Sequence, residues 1–252
     1  MIRPMKAFKY TIYGLLASLA LFSRSGLAYE APFAQQAPVI DANADDVAWQ
    51  QASWQAIDSI ILGETPTKDD FSGRFKVVWT LDRLYILAEI TDDVLIDSHP
   101  DPLDHYWEDD LIEIFIDEDA SGGDHHKSHN AFAYHIALDN QVVDIGVGGD
   151  PVLFNDHLKS QWKRTANKPH TVTWEIELKV YSSTYSEVAS ENLPIKLSAG
   201  KRLGFQVAYC DSDDMARGRD TFIASNDVTP LDGDKNRAYL TADVFGRLHL
   251  VP

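Results

Sequence analysis

The sequence predicts an all-β chain folded as one antiparallel β-sandwich domain with a few short helices. Three observations carry that reading. First, apolar or alternating runs of strand length recur at residues 75–79, 84–90, 111–116, 132–138, 142–147, 172–180, 203–210 and 247–251, and turn-forming clusters separate nearly all of them. Second, two of these runs alternate strictly. Val172, Trp174, Ile176, Leu178 and Val180 face one way while Thr173, Glu175, Glu177 and Lys179 face the other. Ile112, Ile114 and Ile116 likewise oppose Leu111, Glu113, Phe115 and Asp117, the second set reading as a mixed acidic and aromatic surface. Third, helical periodicity is confined to residues 47–53 and 181–188, too little to flank a parallel sheet.

Taken in order, the chain opens with Arg3, Lys6 and Lys9 ahead of a short apolar stretch at residues 11–22 that ends near Gly26-Leu27-Ala28. This is the pattern of a secretory signal peptide over residues 1–28, cut between Ala28 and Tyr29, which addresses the rest to the periplasm or the medium. The apolar stretch falls well short of the roughly 20 residues of a spanning helix, so no membrane insertion is expected. Residues 29–38, with Pro32 and Pro38, read as a linker, and residues 39–252 as the folded domain.

The formal net charge is −17, and losing the four cations Arg3, Lys6, Lys9 and Arg24 with the signal would take it to −21. Such a surface repels phosphate backbones and anionic lipid, which excludes nucleic acid as a partner. Cys210, the sole cysteine, cannot form an internal disulfide and reads as a small buried hydrophobe inside a strand.

The chain lacks a phosphate-cradling glycine loop, a Gly-x-Ser-x-Gly elbow and a His-Glu-x-x-His helix. His125, His126 and His129 have the spacing of a zinc site on a helix, but Gly122-Gly123 before them and Asn130 after them point to a loop, and no fourth ligand is evident. Calcium suits the sequence better, because hard cations take carboxylate and carbonyl oxygens; Asp41, Asn43 and Asp45, and Asp117 with Asp119, are the expected ligands. Trp107 stands in the charged loop His105-Tyr106-Trp107-Glu108-Asp109-Asp110, where an aromatic has little reason to be core, whereas Trp49, Trp54, Trp79 and Trp174 fall in apolar patterns. An exposed indole of this kind suits stacking against the C–H face of a sugar ring.

Six segments, in order, resemble the family 9 carbohydrate-binding modules and the wider DOMON-like sandwiches, a group with immunoglobulin- or jelly-roll-like architecture. They are Val39-Ile40-Asp41-Ala42 through Trp49, with Ala42 where glycine is usual; Trp79 through Leu84-Tyr85 to Asp92-Asp93; Asp110-Leu111-Ile112-Glu113-Ile114-Phe115-Ile116-Asp117; Trp174-Glu175-Ile176-Glu177; Gly204-Phe205-Gln206-Val207 with Asp211, Asp213 and Arg219; and Phe245-Gly246-Arg247-Leu248-His249-Leu250.

The resemblance implies a non-catalytic, secreted module that binds an oligo- or polysaccharide and serves glycoside hydrolases of the same pathway, with calcium bracing loops and no organic cofactor. It also implies two aromatic rings around a terminal sugar. Trp107 takes the first place, and Phe222 or Tyr209 is left for the second, since no Trp follows Trp174. Glu113, His135, Arg219 and Asn226 are the expected hydrogen-bonding partners. Two other classes compete: a haem b electron-transfer domain, for which Met215 and the nine histidines would supply ligands, and a glycoside hydrolase using Glu113 and Asp144.

Overall fold

The structure, a computed structural model, describes residues 28–252. The signal-peptide reading lies outside them, apart from Ala28. Among the described residues no helix is long and apolar enough to cross a membrane.

Among the described residues fourteen strands build two sheets. The larger is formed by β1 (Ala28–Pro32), β14 (Gly246–Val251), β12 (Arg202–Asp211), β6 (Leu111–Asp117), β7 (Phe132–Ala137), β8 (Val142–Ile145) and β9 (Pro151–Leu153), in that order, with β13 (Thr221–Ala224) on β12 and β3 (Ser59–Leu62) on β13. The smaller runs β10 (Leu158–Arg164), β11 (Thr171–Leu178), β5 (Leu84–Asp92), β4 (Phe71–Trp79), β2 (Gln55–Ile57). Every pairing is antiparallel except β1 on β14.

Period-2 alternation does what the sequence suggested at the interface between sheets. Trp174, Ile176 and Leu178 of β11 and Ile86 and Ile90 of β5 are fully buried in one cluster with Ile112 and Ile114 of β6 and Phe205, Val207 and Tyr209 of β12.

Three expectations are corrected. Residues 29–38 are not a linker from end to end: β1 pairs residue for residue with β14, from Ala28 on Arg247 to Pro32 on Val251, and buried Tyr29 sets its ring edge-on to Phe75. The second face of β6 is not surface either. Leu111, Glu113, Phe115 and Asp117 are buried beneath the loops 120–131 and 225–245, which give this sheet a second, smaller core with Phe222 and Phe245. Finally, residues 181–188 form turns rather than a helix, while Val47–Gln51 is a short 3-10 helix.

The outer face of the small sheet is covered by the segment 34–52. Glu175, fully buried, holds it there: one carboxylate oxygen accepts the amides of Asp41 and Ala42 and the other the indole N–H of Trp49. Ala42 has a φ of 63°, the left-handed region that explains why glycine suits this place.

Candidate functional site

The two loops over the large sheet leave a cavity of about 390 Å³ whose floor is the outward face of β6, β7, β8 and β13. Alternation brings Glu113 and Phe115 of β6, Ala133 and His135 of β7 and Phe222 of β13 to that floor, with Asp144 of β8 and Arg219 beside them. Tyr106, Trp107, His126, Asn236 and Tyr239 come from the covering loops. Trp107 and Tyr239 are 36 % and 42 % exposed, so both rings offer free faces to a ligand.

Trp107 is held from behind. Its indole N–H donates to Glu108 at 2.8 Å, and the other oxygen of Glu108 accepts the Arg219 amide at 2.9 Å. Gly218 makes this approach possible. Its φ is 68°, and a Cβ there would stand 2.1 Å from the Glu108 carboxylate. Tyr106 packs edge-on against both Trp107 and His135, each ring centre 4.8 Å away.

The floor is a connected polar group. The Arg219 guanidinium lies over the Phe222 ring at 4.9 Å, donates to the Cys210 sulfur at 3.3 Å and stands 3.9 Å from Glu113. Glu113 accepts the Cys210 thiol at 3.0 Å and lies 3.3 Å from His135 Nε2, while His135 Nδ1 meets the Ala133 carbonyl. Burial lowers the His135 pKa and raises that of Asp144 to about 8. The two Asp144 oxygens accept the amides of Ala133 and Ile145, standing in for ladder bonds where β8 bends away. Glu113 and Asp144 therefore share one cavity, but each is already engaged by protein donors.

Five of the six residues expected to bind sugar, Trp107, Glu113, His135, Arg219 and Phe222, meet at this cavity. Asn226 does not: it donates to the Val244 carbonyl outside the lining. Tyr209 is excluded as a second ring, being fully buried between the sheets with its hydroxyl on Asp92. Phe222 is a floor residue under Arg219, and the exposed ring that accompanies Trp107 is Tyr239, in a loop the sequence reading passed over.

A family model described as carbohydrate family 9 binding domain-like matches residues 40–252. The chain belongs to this family. Two solved structures of a family 9 module from Caldicellulosiruptor kristjanssonii, in complex with cellotriose and with glucose, share its fold at TM-scores of 0.62 and 0.60 and 20 % identity. They cover 89 % and 88 % of this chain and 94 % and 95 % of their own. Among curated proteins, endo-1,4-beta-xylanase A of Thermotoga maritima is 27 % identical over 146 residues, which is 54 % of this chain and 13 % of the enzyme. Exoglucanase XynX of Acetivibrio thermocellus is 29 % identical over 104 residues, 41 % of this chain and 9 % of the enzyme. The family 9 chain thus spans only a small part of the length of either relative.

Of the residues expected to hold calcium, all but the exposed Asp45 accept hydrogen bonds. Asp41 accepts the Asn43 amide, and the Asn43 side chain accepts Lys163, whose ammonium would repel a cation. Asp117 accepts the amides of Asp119 and Gly122, and Asp119 that of Ser121.

This chain gathers other carboxylates, Asp92, Asp110 and Asp211, each with an oxygen within 4.8 Å of the others' and all buried at the ends of β5 and β12 and just before β6. Burial, followed by repulsion from neighbouring aspartates, raises their pKa values to about 6, 9 and 8. No donor meets the Asp211 carboxylate among the described residues, and the buried Ser212 hydroxyl next to it is without a partner. Hard oxygen donors with incomplete hydrogen bonding fit a calcium-like cation. A second group comprises half-buried Asp70 with exposed Asp93 and Asp213, the latter two close in sequence to Asp92 and Asp211.

The three loop histidines point apart. His125 reaches the Ala238 carbonyl, His129 reaches Glu187, and His126 lines the cavity, so they do not share a zinc ion. Met215, offered for haem, is 65 % exposed in a turn.

Proposed function

We propose that this family 9 domain binds an oligo- or polysaccharide in the cavity between Trp107 and Tyr239. The observation that carries the reading is the pairing of two exposed aromatic rings with a charged, buried floor in one concave site. The rings suit the apolar faces of a pyranose; Arg219, Glu113, His135 and Asn236 suit its hydroxyls. The cellotriose and glucose complexes of the C. kristjanssonii module support a glucose-containing ligand as the first to try.

The reading extends to three further points. The domain serves glycoside hydrolases in polysaccharide breakdown, as the xylanase and exoglucanase relatives suggest. It works outside the cytoplasm, an address supported by the signal-like residues 1–28. A calcium ion at Asp92, Asp110 and Asp211 braces the loop 93–110, so that Trp107 is presented on an ordered support.

Affinity electrophoresis of the processed protein against cellulose-, xylan- and mannan-derived glycans, with calcium and with a chelator, tests these points together. Retardation by a defined glycan, weakened by the chelator, is the expected result. Unretarded migration across all neutral and acidic glycans would overturn the proposal.

A further inference from the structure

Beside the main cavity lies a second hollow, about 500 Å³, lined by Asp124, His126, Lys127, Ser128, Arg237 and Leu240. It shares His126 with the main cavity, so the two spaces adjoin. We propose that this hollow is a subsite for an anionic group, carboxylate or sulfate, carried by the sugar next to the one held between Trp107 and Tyr239. The proposal rests on the saccharide reading of the main cavity and adds its substrate class, an acidic glycan.

Charge is the first argument. The chain has 39 acidic and 22 basic residues, so two cations lining one small hollow stand out against the acidic surface. Arg74, Arg83, Lys196, Lys201, Arg217, Arg219 and Lys235 all pair with acids. Lys127 and Arg237, brought together from two different loops, pair with none among the described residues. Asp124 offsets only one of them.

Polarity along the face is the second argument. On the other side of Tyr106 and His135 a small hollow is lined by Asp97, Asp101, Asp104, Asp109 and Asp139, which would repel an anion. An acidic oligosaccharide can therefore enter in only one orientation, with its charge toward Lys127 and Arg237. The third argument is His126 itself. Lining both spaces, its side chain stands where a glycan passing from one to the other would cross.

Isothermal titration calorimetry of the processed protein would compare a neutral xylo- or cello-oligosaccharide with counterparts bearing one glucuronic acid, one sulfate or one glucosamine. The expected result is a Kd about five- to tenfold lower for the glucuronic acid or sulfate form in low salt, the gain from two partly exposed charge pairs. Raised salt should shrink that advantage, and Lys127→Ala with Arg237→Ala should abolish it while leaving the Kd for the neutral sugar unchanged. Neutral and acidic forms binding equally, or the glucosamine form binding tightest, would overturn the subsite with the main cavity intact. Failure of every sugar to bind would overturn the saccharide reading itself.

Discussion

Replacing Trp107 by Ala removes one of the two exposed rings of the cavity without touching the sandwich. An indole presents roughly 250 Å² of surface, and 36 % of it, about 90 Å², is free to be covered by a ligand. At about 25 cal/mol per Å² this is worth about 2 kcal/mol, or roughly a 40-fold rise in Kd. Trp107→Phe, which keeps part of the face but loses the bond to Glu108, should fall between. The assay is calorimetric titration with the tightest glycan found, alongside far-UV circular dichroism to verify the fold. An affinity for Trp107→Ala within twofold of the parent would refute the assignment of this cavity, because no other exposed tryptophan lines it.

Four more outcomes follow from the same structure. Gly218→Ala puts a Cβ against Glu108 at a left-handed backbone position, and it should weaken glycan binding several-fold by releasing the indole; unchanged binding would show that Glu108 does not orient Trp107. If calcium sits at Asp92, Asp110 and Asp211, a calcium concentration 100 times its Kd should add about 2.7 kcal/mol, or roughly 5–10 °C in Tm, and Asp211→Asn should remove the shift in a thermal melt. Glu175→Ala strands the amides of Asp41 and Ala42 and the indole of Trp49, at about 3–5 kcal/mol in urea unfolding, and a loss under 1 kcal/mol would deny Glu175 its role.

Burial lowers the pKa of His125 and of His157 to about 4, below the unfolded value near 6.5. Their stabilising effect is therefore complete above pH 6.5 and is lost as pH falls toward 4, about 2 kcal/mol each by pH 5. Imidazole carbon shifts followed by NMR should stay neutral down to pH 5, and a midpoint above 6 for either residue would contradict this.

Legibility in the sequence followed how local the deciding physics is. The strands that build the central core, such as β6, β11 and β12, announce themselves because each buries one face against a partner sheet. β10 has only two apolar residues, Leu158 and Trp162, and β2, β3, β9 and β13 are three or four residues long, so their pairing is decided by neighbours rather than by their own pattern. β1 contains Pro32 and finds its partner more than 200 residues away.

The site divides in the same way. Strand alternation places Glu113, His135 and Phe222 on one face, and Trp107 stands out as an aromatic among charges. Tyr239 carries the same signal, but its position is set by long-range contacts of the covering loop, including His125 with the Ala238 carbonyl and the bridge of Asp124 to Thr241. The three buried aspartates come from ends of separate segments, and nothing in their local context tells them from the solvated acids of ordinary turns.

The parallel pairing of β1 with β14 also governs when the domain can close. The first of the described strands docks on the last, so the edge that β1 forms with Tyr29 beside Phe75 and Phe205 is complete only once β14 has been made. A nascent chain halted anywhere short of its end keeps an open sheet edge and an incomplete core. Were the chain exported, as the proposed signal at residues 1–28 would have it, late closure would help to keep it unfolded until it had crossed the membrane.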